Sequence, residues 1–569
     1  MNTKSFQSRI RVVSFLIFLF ACILILKLFF LQVIHKNDYL ERADRQYATP
    51  AGDIFERGRI FFSKNDGTEV IGATVISGFK IAIKPKDILD VEEAYKSLNE
   101  IISIDYDDFI RKAGKTNDPY EEIAHRLTKE QANKVSDLKL KGVSMFKESW
   151  RFYPGGNSAA HVLGFVAYKG DDRVGQYGLE RFYNSTLSKS KDEIYVNFFA
   201  EVFSNIGKNF EGKREGDIIT TIESTTQNVL EEELKKTFEK WSADQIGGII
   251  INPANGEIYA MASMPNFDLN EFSSVKNTAV FRNPMVESVF EFGSVIKPLV
   301  MAGALDMGVV TPETKYTDNG FVILNNKTIN NFDKKARGVA TMQTVLDQSL
   351  NTGMVFIQGQ MGRDKFREYM KSYGLGEKTG IDFPNETSGL IRNLDSKQDI
   401  DYATAAFGQG IAITPVETAR AFSVIANGGN LITPHLVKEI RYEDNTSEIL
   451  SYPVVKQGII KPESSETISR MLVNVFDKSY GEGKYKFEHY SVATKTGTAQ
   501  VAKDDGTGYY EDRNLHSFFG YFPAYDPKFL VFLYVKNPKG VNYAAQTLIP
   551  PFVDITKFLI NYYNVTPDR

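Results

Sequence analysis

Gly293-Ser294-Val295-Ile296-Lys297-Pro298 is the stretch on which the reading of this 569-residue chain turns. The glycine marks a turn, and Val295–Gly308 is expected to form a helix that Gly308 stops. Pro298 falls in the first turn, where a missing N–H is tolerated. Three residues apart on a helix, Ser294 and Lys297 share a face, so the amine can reach the hydroxyl. A serine hydroxyl is a weak nucleophile and needs a base. A lysine serves as that base only when burial or a cationic neighbour depresses its pKa. The start of a helix also favours negative charge developing beside Ser294. Alone the pattern says little: Ser136/Lys139, Ser188/Lys191 and Ser273/Lys276 repeat it in polar contexts that read as solvated surface.

Two further stretches give it meaning. Ser349-Leu350-Asn351 falls at the end of a helix expected over Thr341–Asn351. A second serine there can shuttle a proton, and the asparagine amide can bind a substrate carbonyl. Lys495-Thr496-Gly497-Thr498 follows the strand-like run Tyr490–Thr494. A cation with hydroxyls can hold a carboxylate, and Gly497 lets another backbone approach, so an extended peptide can add to that strand. Lys378-Thr379-Gly380 repeats Lys-Thr-Gly but follows Gly374 and Gly376 in a loop context, so Lys495 is preferred.

Around these stretches the texture is α+β. Asp217–Ile222 reads as a strand and Thr225–Glu239 as a helix. Ile246–Ile251 and Ile258–Ala262 flank Asn255-Gly256 as a hairpin. Ser517–Phe522 and Phe529–Val535 are further strands, and Pro550-Pro551 is expected to open a helix over Phe552–Tyr563. Helices around Ser294–Met307, Thr341–Asn351 and Pro415–Asn427 fill the middle. The expectation for residues 216–569 is an antiparallel sheet flanked by helices, with a helical insert. Residues 35–215 mix strands (Val70–Ile76, Phe79–Ile83) with helices (Glu92–Ile102, Lys129–Lys139) and carry no catalytic constellation. They read as an elongated pedestal or interaction domain.

Composition narrows the function classes. Hydrophobic residues make up 42% and charged residues 24%, which excludes a disordered chain, a fibrous repeat and a multi-span membrane protein. A formal net charge of −4 gives no basic surplus for nucleic acid. Cys22 is the single cysteine and the six histidines lack ligand spacing, so no metal and no cofactor are expected. Val12–Leu26 and Leu28–Ile34, interrupted by Lys27, are long enough to span a bilayer. Lys4, Arg9 and Arg11 precede that run, and no small-residue cleavage site follows it. The expected layout is a cytoplasmic N-terminus (1–11), a transmembrane signal anchor (12–34), and the pedestal and catalytic domains outside the cytoplasmic membrane.

In their order, Ser294-x-x-Lys297, Ser349-x-Asn351 and Lys495-Thr496-Gly497 resemble the signature set of penicillin-binding proteins and serine β-lactamases. Arg57-Gly58-Arg59-Ile60, Arg151-Phe152-Tyr153-Pro154-Gly155, His161-Val162-Leu163-Gly164 and Gly178-Leu179-Glu180 resemble the pedestal of the class B penicillin-binding proteins. Asn252-Pro253, Gly256-Glu257, Ala260-Met261-Ala262-Ser263, Phe407-Gly408-Gln409-Gly410 and Ala426-Asn427-Gly428-Gly429 resemble their transpeptidase domain. The likeness covers nearly the whole chain and implies a peptidoglycan D,D-transpeptidase of septal or side-wall synthesis, inhibited by β-lactams. It implies Ser294 as nucleophile, Lys297 as base, Ser349 as proton relay and Asn351 as orienter of the substrate amide. Lys495, Thr496 and Thr498 would hold the terminal carboxylate, with Gly497 between them and the Ser294 and Thr498 N–H groups as oxyanion hole. The implied partners are stem peptides and a membrane-embedded glycosyltransferase of the shape, elongation, division and sporulation (SEDS) family. A D,D-carboxypeptidase or β-lactamase on the same scaffold, or a non-catalytic division scaffold, are the alternatives. Phe292 and Val295 depart from the family's usual proline and threonine, and Ser188-Lys189-Ser190-Lys191 stands where a glycine-rich pedestal feature is expected.

Overall fold

The computed structural model describes residues 55–170, 172–189, 214–479, 485–503 and 508–569, together with Phe20 and Lys27. The expected anchor thus falls, but for those two positions, outside the described residues, among which no helix is long and apolar enough to cross a membrane. One unit is built on Val75–Trp150, the other on Arg57–Thr74 and Arg151–Arg569.

β1 (Ile60–Ser63) pairs with the first half of β2 (Glu69–Ile83), Ser63 against Glu69. The two strands expected at Val70–Ile76 and Phe79–Ile83 are therefore one, because Ser77-Gly78 between them stays extended. In the smaller unit α1 (Val91–Asn99) and α2 (Tyr106–Ala113) start on Asp90 and Asp105, whose carboxylates accept backbone N–H groups of the first turn. β3 (Glu121–Leu127) pairs with the second half of β2. α3 (Lys129–Asp137) starts on a reciprocal Thr128/Gln131 cap, and β4 (Val143–Phe152) also pairs with β2. Leu98, Phe109 and Val135 close over Ile81 and Ile83 as this unit's core.

In the larger unit β5 (Gly216–Glu223) runs parallel to β1. α4 (Ser224–Trp241) leads to β6 (Gln245–Ile251) and β7 (Ile258–Met264), the expected hairpin. α5 (Lys297–Asp306) follows a 3-10 turn over Gly293–Ile296, so the regular helix begins two residues later than expected. Four short strands come next where only helices were expected: β8 (Lys315–Asp318), β9 (Phe321–Leu324), β10 (Lys327–Asn330) and β11 (Gly338–Thr341). β9 and β10 form an inner hairpin inside the β8–β11 pair. The helix expected over Thr341–Asn351 is two, α6 (Met342–Asp347) and α7 (Asn351–Met361). α8 (Pro415–Ala426) starts on a Thr414/Glu417 cap. β12 (Val437–Tyr442) and β13 (Ser447–Ile449) extend the sheet of β5, β1 and β2, and α9 (Pro462–Ser479) follows.

The central sheet is antiparallel, in the order β14 (Ala493–Ala502), β15 (Tyr509–Phe522), β16 (Phe529–Lys536), β6, β7. β16 is apolar on both faces: Leu530, Phe532 and Tyr534 enter one core, Val531, Leu533 and Val535 the other. On the first face Phe422 of α8 stacks on Phe519 at 3.9 Å. On the second, Leu230 and Leu234 of α4 meet Leu548 and Phe552 of α10 (Ala544–Tyr562). Two expectations are corrected here. The strand expected from Tyr490 begins at Ala493, because Tyr490 and Ser491 are tied instead to Val565 and Asp568. α10 begins at Ala544 and carries Pro550-Pro551 inside it, since burial of its apolar face on the sheet outweighs the lost hydrogen bonds.

Arg57, Arg151 and Glu180, which the sequence places in three separate motifs, meet in a buried cluster of the larger unit. Both guanidinium Nε atoms lie 2.6 Å from the Glu180 carboxylate, and Tyr153 adds its hydroxyl at 3.3 Å. Burial alone would push the Glu180 pKa up; the two guanidinium groups overcome that and hold it below the usual range. Glu180→Ala leaves two buried cations without their anion, so it is expected to destabilise the fold by about 3–5 kcal/mol. Chemical denaturation followed by near-UV circular dichroism checks this.

Candidate active site

Ser294 stands in the 3-10 turn that Gly293 enters with φ 65°, a left-handed conformation that suits glycine. The Phe292 carbonyl accepts from Ser517 Oγ of β15 at 2.7 Å, and Gly293 donates to the Gly408 carbonyl at 3.2 Å. Gly497 of β14 lies directly beneath. A Cβ there would stand 2.4 Å from the Phe292 oxygen and 3.0 Å from the Val295 nitrogen. Glycine at 497 is thus what allows the serine turn to press onto the strand. β14 is also the edge of the central sheet, so among the described residues its outer rim pairs with no other strand of that sheet.

Ser349 sits in the break between α6 and α7 with φ 55°. Leu350 N–H reaches the Val345 carbonyl at 2.9 Å and Ser349 N–H the Leu346 carbonyl at 3.3 Å. These bonds are those of a Schellman cap, with Ser349 in the left-handed position that glycine usually takes. A side chain there costs about 1 kcal/mol of backbone strain. What it gains is direction: both the Ser349 hydroxyl and its carbonyl reach the Lys297 amine.

The three stretches converge on two lysines. Lys297 Nζ donates to the Ser349 carbonyl at 2.6 Å and to Asn351 Oδ1 at 2.9 Å, and lies 3.2 Å from Ser349 Oγ. Lys495 Nζ lies 3.1 Å from the same Ser349 Oγ. Both lysines are fully buried. Burial, reinforced by the Lys495 charge, drives the Lys297 pKa well below its ordinary value. Burial likewise lowers Lys495, to about 7, against the opposing charge of Asp347. A neutral Lys297 has two N–H bonds for the Ser349 carbonyl and Asn351 and keeps its lone pair for a hydroxyl. Asn351 Nδ2 donates to the Asn330 carbonyl at 2.9 Å, which fixes which way round the amide sits.

Thr496 is half-buried, and Thr498 is exposed with its Oγ1 accepting from the Ala544 N–H at 3.4 Å. Thr498 is also next to the Ser294 turn, since a Cβ on Gly293 would stand 3.0 Å from its carbonyl oxygen. The rival stretches lie elsewhere. Thr379 and Gly380 wrap their N–H groups around the Glu386 carboxylate in a loop. Ser136 ends in α3 with Lys139 beyond it, Ser273 and Lys276 are exposed, Ser188 binds Arg57, and Lys191 lies outside the described residues. Asp347, held by Gln343 and Asn474, and the β8–β11 insert beside Asn351 escaped the sequence reading. The Asn325-Asn326 pair was the available signal for the insert.

A family model of the penicillin-binding protein transpeptidase domain matches residues 246–554, and one of the penicillin-binding protein dimerisation domain matches residues 56–221. The chain belongs to the class B penicillin-binding proteins. This penicillin-binding protein is 31% identical over 506 residues to Stage V sporulation protein D of Bacillus subtilis, covering 88% of its own chain and 77% of that relative. It is 26% identical over 498 residues to peptidoglycan D,D-transpeptidase FtsI of Escherichia coli, covering 85% and 80%. Among solved structures it is similar to penicillin-binding protein 2X of Streptococcus thermophilus, with a TM-score of 0.71 at 20% identity over 90% of this chain and 80% of that one. A second, penicillin-binding protein 3 of Mycobacterium tuberculosis complexed with aztreonam, has a TM-score of 0.68 at 20% identity, over 90% and 98%. At that identity the likeness speaks for the shared fold.

Proposed function

We propose that this penicillin-binding protein is a D,D-transpeptidase that cross-links peptidoglycan stem peptides through an acyl-enzyme on Ser294. The observation that carries the reading is the buried Lys297 amine, bonded to both Ser349 and Asn351, with Lys495 of the edge strand sharing the Ser349 hydroxyl. Neutral Lys297 takes the Ser294 proton as the oxygen attacks the carbonyl of the penultimate D-Ala. The Ser294 and Thr498 N–H groups receive the developing oxyanion, and Asn351 Nδ2 orients the substrate amide. Lys495, Thr496 and Thr498 hold the terminal carboxylate of a peptide laid along β14, Gly497 giving it room. Ser349, between the two lysines, relays the proton to the departing D-Ala amine. The acceptor amine of a second stem then displaces Ser294 and completes the cross-link. Relatives named peptidoglycan D,D-transpeptidase support this substrate. The Mycobacterium tuberculosis neighbour complexed with aztreonam and ampicillin supports β-lactams as inhibitors that acylate Ser294.

The same reading takes residues 12–34 as a single membrane anchor. It takes 35–215 as the pedestal that meets a SEDS-family glycosyltransferase, and 216–569 as the catalytic domain. A stem pentapeptide with an amine acceptor tests the chemistry: D-Ala release with an amide-linked dimer is expected, whereas release with free acid alone would favour a carboxypeptidase.

The lysines also set a pH dependence. Acylation needs Lys297 neutral, so the rate rises with pH through its depressed pKa. It needs Lys495 charged, so the second-order acylation constant falls as pH passes about 7. Lys495→Arg stays cationic, and its descending limb is expected to vanish. A stopped-flow pH profile with a chromogenic cephalosporin reads both limbs.

A further inference from the structure

We propose that Asp318 is a positioning residue for acylation, holding the insert against the start of α7 so that the Asn351 amide stays aimed at Lys297. The inference rests on the roles given above to Ser294, Lys297, Ser349 and Asn351, and adds a group that touches none of the reacting atoms. Asp318 ends β8 and is 1% exposed. A carboxylate that deep is tolerated only when its lone pairs are used. Oδ1 accepts from Gly320 N–H at 3.0 Å and from the Thr352 hydroxyl at 2.7 Å. Oδ2 accepts from Arg337 N–H at 3.0 Å, and Asn331 Nδ2 reaches both oxygens at 3.0 Å. Asn331 Oδ1 in turn accepts from Thr352 N–H at 3.2 Å.

The spacing gives the cluster its consequence. Asn330 and Asn331, consecutive in the insert, bind Asn351 and Thr352, consecutive at the start of α7. On the other side of the motif Arg337, clamped by both oxygens of Asp333, donates to Gln348 at 2.8 Å. Ser349-Leu350-Asn351 is therefore gripped just before and just after, by one insert whose two ends Asp318 joins. Without that carboxylate the Asn330 carbonyl loses its support, and with it the partner that orients Asn351. A displacement on the order of 1 Å in a catalytic array costs about a hundredfold in rate.

The test follows acylation of the purified protein by fluorescent penicillin, reading rate and final stoichiometry separately. Asp318→Ala and Thr352→Val are expected to slow acylation about tenfold or more while still reaching one label per molecule. Thr352→Ser, which keeps the hydroxyl, is expected to stay within about twofold of wild type. Thr352→Val guards against a failure of Asp318→Ala to fold. Wild-type rates in both, or a lowered stoichiometry at an unchanged rate, would reduce Asp318 to fold stability and overturn the proposal. Ser294→Ala runs beside them: its continued labelling would fail the active-site reading, whatever the Asp318 variants do.

Discussion

Ser294→Ala is expected to reduce covalent labelling by penicillin to background while leaving the folded protein intact. The hydroxyl stands on a turn that presses onto the edge strand, one 3-10 turn ahead of a buried amine. On the proposed mechanism, removing it deletes the atom that forms the acyl bond. Ser349 Oγ lies within hydrogen-bond distance of both lysines, but it sits on a helix cap rather than at the Gly293 turn. Loss of a serine nucleophile elsewhere costs on the order of a millionfold in turnover. The deleted side chain is only partly buried, so thermal stability should change by about 0.5 kcal/mol or less. Gel fluorescence after penicillin treatment, with a melting curve for each variant, measures both. Persistent labelling of the variant would mean that another side chain is the nucleophile.

Lys297→Ala is expected to lower the acylation rate at least about a hundredfold, the low end for general base catalysis. Burial and the Lys495 charge hold this amine well below its ordinary pKa, which favours the neutral form that a base requires. Lys297→Arg should not rescue the rate, because a guanidinium stays protonated and cannot accept the serine proton. Replacement by alanine also leaves the Ser349 carbonyl and Asn351 Oδ1 without their shared donor. Because that loss could slow acylation through geometry, the arginine variant is the sharper of the two. An unchanged rate in Lys297→Ala would remove lysine from the mechanism.

The convergence of Lys297, Ser349, Asn351 and Lys495 was legible because the proposed chemistry asks for fixed residue types at fixed spacing. Ser294 and Lys297 are one helical turn apart, and Lys495 is flagged by Gly497, whose missing side chain the packing requires. The Phe529–Val535 run was equally readable, since a strand buried on both faces is apolar at every position. Where reading failed, tertiary structure had overridden local preference. Pro550-Pro551 should begin a helix, yet burial against the central sheet carries α10 through them. Thr341–Asn351 has the texture of a single helix, and the left-handed Ser349 followed by the extended Leu350 splits it. The β9–β10 hairpin was different: Asn325 and Asn326, at φ 48° and 60°, are the residues a two-residue turn favours, and that signal was passed over. Nothing local could bring Arg57, Arg151 and Glu180 together, because their pairing is a property of the finished fold.

The most direct measurement is peptide mapping by mass spectrometry after stoichiometric reaction with a β-lactam. A single acyl adduct on Ser294, formed at a rate that Lys297→Arg collapses, is the predicted result. An adduct on Ser349 or on any residue other than Ser294 would contradict the assignment of the nucleophile, and the mechanism built on it.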